Sequence, residues 1–144
     1  MIEQDTVRLL REDDAGVAMG ISAIDEVLDY VKDERLKDVL KNSKEEHNKI
    51  NEEIQNLLGR YDDEGKNPNP IAKGMSWMKT NVMLVINESD ATIADLITQG
   101  CNMGVKSLNK YLNEYKAADE HTKDIAKKLI KQEEDLTHEI REFL

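Results

Sequence analysis

Asp14, His47 and Glu133 are the residues of this sequence whose types could share a metal ion or a proton inside a helical protein. Each interrupts a run of otherwise apolar positions. One imidazole and two carboxylates can fill three of the four positions around a zinc ion. In di-iron bundles the metals are held by a Glu from each of two helices and a Glu-x-x-His pair from each of the other two. Here Lys44 stands three residues before His47, where that Glu would be, and Leu136 follows Glu133 where a His would be. A buried, unpaired carboxylate or imidazole is costly, so the three groups are expected to satisfy one another, a water or a single ion. A hydrogen-bonded polar layer and a partial, mononuclear metal site (iron or zinc) both follow from this set. An active di-iron oxidase does not.

The elements that must position these residues are helices. Val7, Leu10, Asp14, Val17, Ile21, Ile24, Leu28 and Val31 recur in steps of three and four, the seam of a helix from about Asp5 to Tyr30. A second helix starts at Asp33, a good N-cap, and ends near Tyr61; its seam is Leu36, Leu40, Ser43, His47, Ile50, Ile54, Leu57 and Tyr61. The turn between them is short, so they pack antiparallel. Residues 62–70 read as a loop, and Asn69 with Pro70 opens a short helix over Ile71–Asn87. Ser89 caps a third long helix to about Lys116, with Ile93, Ile97, Gly100, Gly104, Leu108, Tyr111 and Tyr115 inward. A fourth starts near Asp119 and turns Ile125, Leu129, Glu133, Leu136, Ile140 and Phe143 inward. The pattern predicts a single domain over residues 1–144: an all-α, ferritin-like four-helix bundle with a short extra helix in the crossover between helices two and three.

Counted at ~1.5 Å per residue from the first turn, Asp14 and His47 lie at similar heights. If helix three descends parallel to helix two and helix four rises, Gly100, Gly104 and Glu133 reach that height too. The expectation is one polar layer made by four helices. Two glycines in mid-helix cost ~1 kcal/mol each relative to Ala, which close approach of a neighbour would offset. Cys101 beside them reads as a small buried hydrophobe. Asp135-x-x-His138 has ligand spacing but falls on the solvent side, and His121 lies at an exposed helix start. Met75, Trp77, Met78 and Met83 form an apolar cluster that covers the bundle or meets a second copy, and a homo-oligomer formed through the surface near Met75, Trp77 and Met78 is expected.

From Ser76-Trp77-Met78-Lys79 through Asp90-Ala91-Thr92-Ile93 to Tyr111 and on through helix four, the chain resembles an uncharacterised bacterial family of small ferritin-like four-helix proteins, a domain of unknown function. The resemblance covers nearly the whole chain and implies the same helix order. Such proteins carry an acidic pair and an Arg-Gly step where this chain has Cys101-Asn102-Met103-Gly104, and their helix-one acid corresponds to Asp13 or Asp14. The missing helix-three carboxylates imply a degenerate site.

Composition bounds the rest. The net charge is −10, which repels a phosphate backbone, and Lys123, Lys127, Lys128 and Lys131 are interleaved with acids, so no nucleic-acid partner is expected. One cysteine permits no intrachain disulfide, which suits a reducing, cytoplasmic setting. Met1-Ile2-Glu3-Gln4-Asp5 has no basic segment leading into an apolar one, so no signal peptide is expected, and the longest apolar run, Val82–Ile86, is far short of the ~20 residues of a membrane span. The function expected is a non-catalytic bundle with a binding or structural role and no cofactor; the alternative is a metal-binding protein of iron or oxidative-stress handling.

Overall fold

The computed structural model describes residues 2–63, 65 and 89–144. Among them are four α-helices and no strand: α1 (Ile2–Leu28), α2 (Glu34–Arg60), α3 (Asp90–Glu114) and α4 (Glu120–Ile140), closed by a 3-10 turn at Arg141–Phe143. The crossover segment with its expected helix Ile71–Asn87 lies outside the described residues.

Local chemistry sets the helix starts. The Asp33 carboxylate accepts from the backbone N–H groups of Arg35 and Leu36, and Asp119 accepts from Thr122 N, each satisfying donors that a helix N-terminus leaves orphaned. Ser89 has the extended conformation of an N-cap but makes no side-chain cap bond. Asp90, the first residue of α3, is used elsewhere: its two oxygens accept from Lys32 N at 2.8 Å and Asp33 N at 2.7 Å. That bond pins the start of α3 to the α1–α2 turn. At the other end Asp5 accepts from Ala117 N, and the Thr6 hydroxyl from Asp119 N, pinning the α3–α4 turn to the start of α1.

These two fastenings fix the directions. α1 and α4 rise while α2 and α3 descend, and the chain leaves α2 at the opposite end from where it re-enters α3. α1 packs on α2, α3 and α4, and α4 packs also on α2 and α3. The expectation that helix three runs parallel to helix two is met.

Among the described residues the core divides into two large clusters and a small third one, Leu9 with Ala118 and Ala126. One large cluster, toward the α1–α2 turn, contains Ile24, Val27, Leu36, Leu40, Ile97, Cys101, Leu136 and Ile140. The other contains Leu10, Val17, Ile50, Ile54, Leu58, Leu108, Ile125 and Leu129. On every helix the gap between the clusters falls at one place: at Gly20 on α1, His47 on α2, Gly104 on α3 and Glu133 on α4.

Candidate functional site

His47 sits in mid-α2, one turn after Ser43. Its Nδ1 lies 2.7 Å from the Ser43 carbonyl oxygen, which can only accept, so Nδ1 carries a proton and donates it there. Nε2 faces Glu133 Oε1 across 3.7 Å. Both side chains are out of solvent, His47 at 1% and Glu133 at 6% exposure. Burial pushes the Glu133 carboxyl above the usual carboxylate range, and His47 pulls it back by hydrogen bonding and charge. With Nδ1 committed, Nε2 is the ring nitrogen left to face the carboxylate.

Two glycines make the room. A Cβ built on Gly20 would stand 2.9 Å from both Cδ2 and Nε2 of His47, and one on Gly104 would stand 3.1 Å from Cδ of Glu133 and nearer still to Oε2. α1 and α3 therefore press bare backbone against the pair from two sides. Gly100, one turn away, meets nothing within 4 Å and takes no part.

Asp14 belongs elsewhere, and the three-residue layer expected from the sequence is corrected to a pair. Gln55 Nε2 donates to Asp14 Oδ1 at 2.7 Å. The residues after α2 close over the same carboxylate: Asp63 pairs with Arg11 at 2.7 Å, and Gly65, at φ +84°, brings its backbone where any Cβ would strike Asp14. Asp14 stands six residues before Gly20, ~9 Å along the helix. Asp14 thus lies nearly two turns from the level of the pair, where the seam residue of α1 opposite His47 is Gly20, which has no polar side chain to mark it. Among the described residues no three His, Cys, Asp or Glu side chains converge as a metal ion would require. A di-iron centre needs bridging carboxylates, and at this level α1 and α3 offer glycine, so the residues present do not fit one.

No family model, curated protein or solved structure matches this chain. Lys44, in the ligand motif's Glu position, is tied to Asp25 on the surface at 2.5 Å. Cys101 is buried, and burial, reinforced by the Glu133 charge, pushes its thiol far up, so it is a hydrophobe and not a nucleophile. Asp135 pairs with Lys131, and His138 meets Arg141; both are exposed, as expected. His121 is exposed and bonds Glu53 at 2.8 Å.

One more titratable group lies in the core, the other member of the Asp13-Asp14 doublet that the resemblance left open. Asp13 is fully buried and neither of its oxygens has a hydrogen-bond partner. Burial, with Glu12 beside it, holds its carboxyl well above the usual range. The signal was present as the doublet Asp13-Asp14, of which only one residue could be placed on the seam by its spacing.

Proposed function

We propose that this chain is a ferritin-like four-helix bundle with a non-catalytic, binding or structural role, and that the layer related bundles use for metal is closed here by a buried His–Glu pair. One observation carries this reading: both His47 nitrogens face protein acceptors, and Gly20 and Gly104 close on the pair from two helices. The up-down-down-up order of the helices supports the ferritin-like assignment, and a helix over Ile71–Asn87 in the crossover belongs to it. The free, buried Cys101 suits a cytoplasmic setting, and the net charge of −10 argues against a nucleic-acid partner. Among the described residues no helix is long and apolar enough to cross a membrane. The apolar cluster Met75, Trp77 and Met78 is the surface for assembly, on the bundle itself or with a second copy.

The test is elemental analysis of protein purified without chelator, with an iron-oxidation assay after reconstitution. The expected result is substoichiometric metal and no turnover. Two irons per chain with rapid oxidation would overturn the reading.

The second reading, a metal-binding protein of iron or oxidative-stress handling, draws on one distance. Two ligands on one tetrahedral zinc stand ~3.4 Å apart at ordinary bond lengths, close to the 3.7 Å between His47 Nε2 and Glu133 Oε1. Stoichiometric zinc that is lost in both His47→Leu and Glu133→Leu would favour it.

A further inference from the structure

α1 runs for ten residues, Ala15–Ile24, without a charged side chain, and α3 does the same over Leu96–Val105, in a chain that is 35% charged. On α2 the longest such stretch is six residues, 54–59. Core packing accounts for the inward positions only. At ~100° per residue, Ala15, Met19 and Ser22 lie on the side of α1 away from buried Val17 and Ile24. Met19 is 41% exposed, and Met103, which precedes the glycine facing the same pair from α3, is 62% exposed. A solvated outer face in so acidic a chain would ordinarily carry charge.

The ends of the crossover lie at the two ends of this face. Before it, Asp63 grips Arg11 and Gly65 rests on Asp14, just below Ala15. After it, Asp90 holds the backbone of Lys32 and Asp33, just above the end of α1. From Asp14 to Leu28 is ~21 Å, which residues 66–88 could cover even at helical rise. Their composition matches the face: Ile71, Met75, Trp77, Met78, Val82, Met83, Val85 and Ile86, with three lysines against one glutamate in an otherwise acidic chain.

We propose that the uncharged outer side of α1 is the seat of residues 71–87 of the same chain. The proposal goes beyond the functional reading above and stands apart from its metal question. It selects the chain's own bundle over a second copy, because the described residues on either side of the segment, Gly65 and Asp90, lie against Asp14 of α1 and against the α1–α2 turn.

Trp77 is the only tryptophan, so its emission reports the seat directly. In the full chain it is expected to be shifted to the blue, and to stay so over a hundredfold dilution. The pair Ala18→Glu with Ser22→Glu is expected to move it to the red with helical circular dichroism retained; Asn42→Glu, on the α2–α4 side, leaves it in place. Should the double variant unfold, a spin label on Met19→Cys gives the same answer, since Cys101 is buried and escapes labelling: Trp77 is quenched, whereas a label on Asn42→Cys does not quench it. Water-like emission in the unmodified chain, unchanged emission in the folded double variant, or no quenching from position 19 would overturn the proposal. Emission that reddens on dilution as a dimer dissociates would also overturn it and place a second copy on the face.

Discussion

Glu133 and Asp13 are two carboxyls buried in the same bundle, at 6% and 0% exposure, and they live in opposite surroundings. Glu133 has an imidazole across 3.7 Å and glycine backbone on its flank. Asp13 has no hydrogen bond on either oxygen, and the charge acting on it is Glu12, of its own sign. Burial raises both. His47 counters the rise at Glu133, and Glu12 adds to it at Asp13. The price of burial is therefore set by what faces the group, and the two levels should respond to substitution with opposite signs.

The largest effect is expected at the paired level. His47→Leu strands Glu133 without a partner, and breaking a buried pair from one side costs ~3–5 kcal/mol. Removing both groups, as His47→Leu with Glu133→Leu, should recover most of that loss, because two apolar side chains of similar volume join the clusters above and below. Urea unfolding of the single and double variants at neutral pH measures the difference. A single variant that loses under ~1 kcal/mol would mean that Glu133 finds water instead, and that the pair is not what holds the layer.

At the unpaired level the sign reverses. Asp13→Leu should stabilise the bundle by ~1–3 kcal/mol near pH 8, since it removes an unsatisfied buried polar group. The pH dependence separates this from simple hydrophobic gain. Because the folded carboxyl is raised, it keeps its proton at pH values where the unfolded chain, at ~3.9, has already lost it. The stability associated with protonated Asp13 is thus complete below that pH and is lost as pH rises through the folded value. Asp13→Asn carries no titrating proton, so the gap between wild type and this variant should widen in the variant's favour from pH 4 to 8. A constant gap would show that Asp13 ionises freely in the folded state.

The sequence made most of the frame legible. Steps of three and four placed Leu10, Val17, Ile24, Leu36, Leu40, Ile54, Leu129 and Ile140 inward, and Asp33 was visible as a cap, because apolar spacing and capping act locally. His47 and Glu133 were legible as interruptions of a seam. Asp14 was misplaced along the bundle because helix heights depend on where turns begin, and an error of two turns leaves the seam intact. Gly20 was invisible for a different reason. A glycine that makes room has no side chain to interrupt a pattern, and Ile21 beside it satisfied the spacing.

The smallest effects sharpen the comparison within a single helix. Gly100 and Gly104 are one turn apart on α3, and from sequence they look alike. Alanine favours a helix over glycine by ~1 kcal/mol at either position. At Gly104 that gain meets the Glu133 carboxyl, which is buried, held toward His47 and unable to retreat without leaving its partner. Overpacking of this kind costs ~1–3 kcal/mol, so Gly104→Ala should be net destabilising by ~1 kcal/mol. Gly20→Ala, whose Cβ would meet the ring of His47, should behave the same way. At Gly100 nothing stands within 4 Å of the added carbon, so the propensity gain is unopposed. Gly100→Ala should raise the unfolding midpoint by the equivalent of ~0.5–1 kcal/mol. Thermal melts of the three variants measure these differences against one reference, at a pH where Asp13 does not titrate. A loss at Gly100 equal to that at Gly104 would mean that another part of the molecule already fills the space beside Gly100, and that the room on α3 is not confined to the level of the pair.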